Sequence, residues 1–503
     1  MNNNFSYRQA VNYTGNSFWF ARLLAIVIFG GLLAYRILLI LSYTGEVGGI
    51  DNNFVYDVTR SLGGLPIYTN PAAPPYAITL YSPLYYNICT VFGNMLEINP
   101  NEPIHVYQLC RTVSLIGDIA TCALLYSIMR SRFRLETELS MLAVAFFACI
   151  LCLLGYTFSR SDSLLLAFYA ALILVLTGRS PKNKHPQLIG LAILSVCCLL
   201  SKQNGIITPV LVCTWLFIQS RKQQVIYYLM YFWVFASVLL LYEKHYHYLF
   251  LNTVVGLQNH LDLSWFYTDI FKRSMNSLWI IPLAFASVLA LKHWIKPDSR
   301  TDKSFAAIFI IQSLFSLATS FKWGSTVGYF NESLLLSFIL IAKQTAIYKS
   351  DSFGSYARKA VAILLPLIFL FFIHTVAEGY LFFIQRQPTR QAAYEQQKGV
   401  RDYLQPRLEG HLVLNLAHPN SDFFKTLFYK DIAVPNMDMV DCCTLPDQTF
   451  DYSMLHMQLA DGHIGYLLAE GDVATPPEQL WGVPLSHFQR DTTINGYTIF
   501  KYK

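Results

Sequence analysis

The sequence consists largely of apolar runs separated by short polar segments. A helix needs roughly 20 apolar residues to cross about 30 Å of hydrocarbon. Only 14% of the residues are charged, whereas a soluble protein carries about a quarter. The chain is therefore predicted to be an all-α polytopic membrane protein with about eleven transmembrane helices. The predicted spans are residues 22–43, 105–129, 138–158, 163–177, 187–201, 206–219, 225–242, 274–291, 304–321, 327–347 and 360–384.

The basic residues fall in short clusters between these runs, as at Arg130, Arg132 and Arg134. Cytoplasmic loops carry such an excess of Lys and Arg, so the net charge of +6 reports topology and not nucleic-acid binding. If the run at 83–98 crossed the membrane, the cluster at 130–134 would lie outside, so this run is predicted to lie in the membrane interface. The first run lacks a cleavage site and is interpreted as an uncleaved anchor. We expect a protein of the cytoplasmic (inner) membrane with a cytoplasmic N-terminus.

This topology divides the chain into a transmembrane domain, residues 1–384, and a tail, residues 385–503. The transmembrane domain includes a first extracytoplasmic loop at 44–104. The tail is predicted to be a small extracytoplasmic α/β domain, because it contains strand-like runs at 464–468 and 497–502 and an Asn495-Gly496 turn. The ten cysteines indicate no disulfide framework. The absence of an internal repeat disfavours a transporter.

Two aspartates lie in the first extracytoplasmic loop. Asp51 and Asp57 belong to a predicted amphipathic helix that ends at Gly63-Gly64. Because they are six residues apart, their faces differ by about 120°, and only one is expected to face a shared cavity. The alternative interpretation of Asp51 is a helix N-cap.

Three further polar groups are predicted on the same side of the membrane. Arg160 and Asp162 lie between two apolar helices, where interfacial anchoring and an N-cap by Asp162 are the alternative. Lys202 is a lone external cation, which suggests an anionic partner. Asn331 and Glu332 lie about one turn inside a span, where ionisable residues are costly and by default functional. Their neighbours in these three segments include Gln203, Lys322 and Tyr329.

An aspartate facing several cations at the rim of a helix bundle suits transfer from a phosphorylated lipid. Lys202 and Arg160 would bind the leaving phosphate, and Asp51 would take the proton from an attacking hydroxyl. His245, His247, His260 and Asp262 are weaker candidates, because such residues in a wet loop are usually only solvated. Asp51, Asp57 and the histidines are possible ligands for a divalent cation, but no ligand spacing demonstrates a metal site.

These residues resemble the GT-C superfamily of polyprenyl-phosphate-sugar-dependent glycosyltransferases, in particular family 39-like proteins related to the protein mannosyltransferases and the aminoarabinose transferases. The resemblance covers roughly residues 20–345. Besides the acidic first loop, it rests on the segments 63–68 (GGLPIY) and 81–86 (YSPLYY), on Arg160-x-Asp162, on Lys202-Gln203 and on the segment 328–332 (GYFNE).

The resemblance implies a groove for a lipid-linked sugar phosphate, inversion at the anomeric carbon and an external-loop Asp as general base. Asp51 matches that base best, with Asp57 as a rival because Asn52 replaces the usual Glu. The Tyr-Ser-Pro-Leu segment replaces the Lys-Pro-Pro-Leu of some relatives, so Lys202 becomes the candidate phosphate ligand. Tyr81 and Tyr85 in this segment are expected to contact the substrate.

The leading hypothesis is therefore a glycosyltransferase that moves a sugar from a polyprenyl-phosphate donor to an extracytoplasmic glycan, lipid or protein. Two alternatives remain. One is a non-catalytic transporter or flippase of lipid-linked sugars, which usually has polar residues at the bilayer midplane. The other is an O-antigen ligase or polymerase, which would need several Arg residues in its external loops.

Overall fold

The structure, a computed structural model, describes residues 5–47, 50–155, 157–178, 184–257, 259–275, 277, 279–348, 368–417 and 423–503. Nearly every predicted span is helical, because a chain in hydrocarbon must satisfy its backbone hydrogen bonds internally. The helices up to the tail are α1 (Phe5–Ile40), α2 (Asp51–Leu62), α3 (Leu84–Met95), α4 (Pro103–Ser131), α5 (Thr137–Leu154), α6 (Asp162–Leu176), α7 (His185–Ser201), α8 (Thr208–Gln219), α9 (Arg221–His245), α10 (Leu263–Trp265), α11 (Lys272–Met275), α12 (Ile280–Ile295), α13 (Arg300–Ser320), α14 (Asn331–Tyr348) and α15 (Ile368–Gly379).

Among the described residues, α1, α4, α5, α9 and α13 are long and apolar enough to cross a membrane. The bent pair formed by 263–275 and α12 would add a sixth span, and α6, α7 and α15 are shorter apolar helices. The number eleven therefore stays a prediction. The last predicted span begins outside the described residues, since the structure describes it only from Ile368. The basic residues Arg179, Lys182, Lys349, Arg358 and Lys359 also lie outside the described residues.

The first loop carries α2 and α3. Because α3 has 12 residues, it is about 18 Å long and too short to span the hydrocarbon. Tyr85, Tyr86 and Cys89 are buried, whereas Val91 and Phe92 are exposed. This two-faced helix fits the interfacial position predicted for the run at 83–98.

The tail forms a small region of helices and strands, as predicted. Its helices are α16 (Gln387–Leu404), α17 (Phe424–Leu427), α18 (Met437–Met439) and α19 (Ser453–Ala460). Its strands are β1 (Leu412–Asn415), β2 (Ile432–Ala433), β3 (Ile464–Glu470), β4 (Gln479–Leu480), β5 (Val483–Pro484), β6 (Phe488–Ile494) and β7 (Tyr497–Tyr502). A mixed sheet has the order β2-β1-β3-β7-β6, in which β1 is parallel to both neighbours. Asn495 and Gly496 both have positive φ, as a two-residue hairpin turn requires.

The tail and the first loop share a hydrophobic core. Phe54 and Tyr56 of α2 belong to the same buried cluster as Phe424, Phe428 and Tyr497 of the tail. A shared core fixes the position of two segments more firmly than a linker would. The tail is therefore seated on the loop that carries Asp51 and Asp57.

Candidate active site

Arg160, Asp162 and Lys202 form a buried ion-pair cluster, which we call the cation cluster. Asp162 is the first residue of α6, and Lys202 directly follows α7. The Lys202 Nζ lies 2.6 Å from Asp162 Oδ1, and the Arg160 Nε lies 3.3 Å from Asp162 Oδ2. Lys202 is only 3% exposed. Two cations share one carboxylate, so the cluster keeps a positive charge that would attract an anion.

Aromatic rings and a second carboxyl group surround Lys202. Its Nζ lies 5.6 Å from the centre of the Tyr81 ring and 5.0 Å from that of Tyr329, which is within the range of cation–π attraction. Glu332 at the start of α14 interacts electrostatically with Lys202. Asn331 is 2% exposed, and its side-chain amide has no hydrogen-bond partner within the described part of the chain. These segments, distant in sequence, meet at one place as predicted.

Asp51 lies in a different environment, next to Glu46. We call these two residues the carboxylate pair. The N-cap interpretation of Asp51 is wrong. Asp51 is the first residue of α2, and the Glu46 carboxylate instead accepts hydrogen bonds from the backbone N–H groups of Asp51 (2.7 Å) and Asn52 (3.2 Å). The Asp51 Oδ2 accepts the Val47 N–H at 2.9 Å. Arg111 of α4 interacts electrostatically with both carboxyl groups.

Two like charges in a buried space cannot both ionise easily. Burial, together with the charge of Asp51, raises the pKa of Glu46 to about 8. Glu46 therefore binds a proton more readily than an isolated glutamate does. Glu46 and Asp51 titrate as a coupled pair, so one proton is shared by the pair.

Asp57 lies on a different face of α2 from Asp51, as their six-residue separation predicts. Burial raises its pKa to about 7, although Thr79, Arg60 and Tyr86 favour the ionised form. The Thr79 hydroxyl lies 2.9 Å from Asp57 Oδ1 and 2.9 Å from the Ile67 carbonyl oxygen. One hydroxyl has one hydrogen to donate. The hydroxyl therefore shares this hydrogen between Asp57 Oδ1 and the Ile67 carbonyl oxygen, and its donation to Asp57 favours the ionised form of that carboxyl group.

Aromatic residues link Asp57 to the cation cluster. Tyr86 interacts electrostatically with both Asp57 and Tyr81, and Tyr81 faces Lys202. The Phe54 ring, also on α2, stacks on Tyr81 with 4.7 Å between ring centres. Asp57 thus lies on the α2 face that contacts the cluster, whereas Asp51 lies with Glu46.

Two other predicted site residues support the backbone around the cation cluster. The Gln203 amide donates a hydrogen bond to the Leu80 carbonyl oxygen at 2.6 Å. The Tyr85 hydroxyl lies 3.0 Å from Ser114 Oγ, which accepts the Arg160 N–H at 3.1 Å. Both residues therefore hold loops in place, and direct substrate contact by either stays a prediction.

Lys322 lies apart from these contacts. It is exposed, and its backbone forms an isolated bridge with Leu261. Its role in donor binding stays a prediction. Among the described residues, one group of three possible metal ligands lies close together, namely His293, Asp298 and Asp302. It involves neither Asp51 nor Asp57.

Several buried charged residues near the site were not predicted as site residues. Arg111 is fully buried and donates hydrogen bonds to the backbone oxygens of Leu39 and Ser42. Arg36 and Asp118 form a buried ion pair at 2.6 Å. All three charged residues lie within predicted spans, so the high cost of ionisable groups there was a usable signal. Glu46 carried no such signal, because it lies in a polar loop.

No protein-family model matches the sequence, and no curated protein matches it. Solved structures do match the fold. ArnT from Cupriavidus metallidurans bound to undecaprenyl phosphate has a TM-score of 0.61 and 12% identity, covering 94% of this chain and 97% of that chain. The apo form of that protein has a TM-score of 0.60 and 11% identity, over the same shares of the two chains. The oligosaccharyltransferase of Archaeoglobus fulgidus has a TM-score of 0.58 and 11% identity, covering 90% and 70%. The chain has the GT-C fold, so the predicted resemblance is confirmed at the level of the fold, and its apolar helices support a multi-pass membrane protein.

Proposed function

We propose that this protein is an inverting glycosyltransferase that moves a sugar from a polyprenyl-phosphate donor to an acceptor outside the cytoplasm. The observation that carries the proposal is the cation cluster beside a helix that bears two buried aspartates. Among the proteins of similar fold, one structure holds undecaprenyl phosphate and another dolichol phosphate. The acceptor is a glycan, lipid or protein.

The chemistry follows from the charges. An aspartate of α2 takes the proton of the acceptor hydroxyl while the acceptor oxygen forms a bond to the anomeric carbon. The bond from that carbon to the phosphate oxygen breaks, and the polyprenyl phosphate leaves with the electron pair. Lys202 and Arg160 stabilise the negative charge that grows on the phosphate, in a buried site where such stabilisation is strong.

Asp51 and Asp57 compete for the role of base. Asp51 matches the position that the family resemblance implies. Asp57 is linked to the cation cluster through Tyr86 and Tyr81, and a pKa of about 7 suits a base that works at neutral pH. We therefore propose that the base lies on α2 and test the two residues against each other.

The test replaces each aspartate by Asn in the full-length protein. Purified protein in lipid vesicles receives undecaprenyl-phosphate-linked sugars and a membrane extract as acceptor, and mass spectrometry measures the loss of the lipid-linked sugar. Removing the base should lower transfer about a hundredfold or more, and the other variant should retain most activity. Asp438→Asn in the tail serves as a control.

If both variants keep wild-type rates, the base does not lie on α2. Wild-type protein that shows no transfer, but moves fluorescent undecaprenyl-phosphate sugars between the two leaflets, would support the flippase alternative instead.

A further inference from the structure

The tail reaches α2 through one buried lysine. Lys425 on α17 is 8% exposed, and its Nζ donates a hydrogen bond to the Asn53 Oδ1 at 2.6 Å. Asn53 lies two residues after Asp51 and four residues before Asp57. Residues four apart share a helix face, so the ammonium group meets α2 on the face of Asp57.

The charge of Lys425 acts on two carboxyl groups, that of Glu46 before α2 and that of Asp57 within α2. It favours the ionised forms of Glu46 and Asp57, against the effect of burial. The other titratable and charged groups that face Asp57 are Arg60, Tyr68 and Tyr86. Those that face Glu46 are Asp51 and Arg111. Lys425 is thus a cation that both carboxyl groups share and that comes from the tail.

The residues around Lys425 are closely packed. The ring of the nearby Phe423 packs edge-on against Tyr107 of α4, with 5.2 Å between ring centres. At the end of α2, a Cβ added to Gly63 would lie 2.5 Å from the Tyr429 ring, so a larger residue there would displace this ring. Such contacts hold the ammonium group in one position relative to the aspartates.

A second junction holds the same loop further along. The Val434 N–H donates to the Pro75 carbonyl oxygen at 2.8 Å, and the Ile78 N–H donates to the Asn436 Oδ1 at 3.2 Å. The tail therefore contacts the first loop at two places. One is at Asn53 and Gly63, and the other is at Pro75 and Ile78, shortly before Tyr81. These contacts disfavour a tail that only binds acceptors far from α2.

We propose that the tail completes the active site, with Lys425 as a positioning residue that holds α2 through Asn53 and keeps Asp57 in its working charge state. This inference rests on the proposed function. It assigns the tail a part in the transfer step itself. The competing explanation is that Lys425 only anchors the tail to Asn53.

The test compares Lys425→Gln with Lys425→Arg in the full-length protein. Gln keeps a hydrogen-bond donor for Asn53 but removes the charge, whereas Arg keeps both. The loss of the cation should raise the pKa of Asp57, so the rise of transfer rate with pH should move to higher pH. Because each pKa unit changes the deprotonated fraction about tenfold, we expect Lys425→Gln to lose up to about tenfold at neutral pH and to recover at alkaline pH. Lys425→Arg should follow the wild type, as should the control Lys430→Gln, which changes an exposed lysine of the same segment.

A measurement independent of transfer separates this inference from the proposed function. Infrared spectra of the purified protein over a pH series report the carboxyl band of protonated Asp57, assigned by its loss in Asp57→Asn. In Lys425→Gln this band should persist to higher pH. A lower rate with an unchanged pH profile and an unchanged band would reduce Lys425 to an anchor and overturn the inference. A shifted band in a protein without transfer activity would leave the electrostatic role of Lys425 intact and reject the glycosyltransferase.

Discussion

The cation cluster and the carboxylate pair lie at one rim of the bundle but differ in their charges. The cluster combines opposite charges, whereas the pair combines like charges. In the cluster, Lys202 and Arg160 share the Asp162 carboxylate, so opposite charges stabilise each other and positive charge remains. In the pair, Glu46 and Asp51 have like charges, and the pKa of Glu46 rises to about 8 through burial and this neighbour. One region is prepared to receive an anion, and the other is prepared to hold a proton. Their different charge balance is what the following variants test.

The largest effect is expected from Lys202→Met, which removes the net charge of the cation cluster. Loss of one electrostatic stabiliser of a leaving group typically costs about a hundredfold to a thousandfold in rate. Transfer from undecaprenyl-phosphate-linked sugars measures this loss. Lys244→Met, which changes an exposed lysine at the end of α9, is the control. Equal rates in the two variants would show that the cluster does not bind the leaving phosphate.

The second prediction concerns the pH dependence of the wild-type protein. The pKa of Asp57 is raised to about 7, so if Asp57 is the base, the rate should rise with pH up to about 7 and then level off. One unit below that pKa the rate should be about tenfold lower. A profile that is flat down to about pH 5 would instead point to a base with an ordinary pKa. In that case the role would pass to Asp51.

The third prediction concerns the stability of the carboxylate pair. The folded-state pKa of Glu46 is raised from 4.5 to about 8, so its contribution to stability is fully present below pH 4.5 and is lost as pH rises through 8. Glu46→Gln should therefore flatten the fall in thermal stability between these pH values, as measured by the unfolding temperature of the purified protein. Glu470→Gln, an exposed position of β3, should leave the slope unchanged. An identical slope in Glu46→Gln would mean that Glu46 is ionised throughout.

The smallest effect is expected from Tyr86→Phe. The Tyr86 hydroxyl favours the ionised form of Asp57, so its loss should raise the pKa of Asp57. A single hydrogen bond to a charged group contributes about 1.5–3 kcal/mol at most, and other groups compensate in part. We expect a rate several-fold lower at pH 7 and an unchanged rate at pH 9. Tyr248→Phe, at an exposed tyrosine, is the control, and an equal loss at both pH values would contradict the link through Tyr86.

Local sequence patterns predicted the helices and turns of the fold but not all of the contacts that these elements make. The turn at Asn495-Gly496, the end of α2 at Gly63 and the helical form of most apolar runs follow from backbone preferences and from the need for internal hydrogen bonds. The N-cap of α2 did not follow, because Glu46 and Asp51 both lie in reach of the helix start. Only the path of the chain between them selects the residue that accepts the N–H groups.

The order of charged segments along the sequence predicted that Asp51, Arg160, Lys202 and Glu332 would converge, since alternating spans return such segments to one rim. Arg160, Lys202 and Glu332 do meet, whereas Asp51 lies beside Glu46. The tertiary structure alone decided that tyrosines link Asp57 to the cluster and that Lys425 joins α2 from the tail. Periodicity is a property of one helix and can be read from its own residues. A contact between Asn53 and a residue 372 positions later depends on how whole layers pack, and no local pattern encodes that.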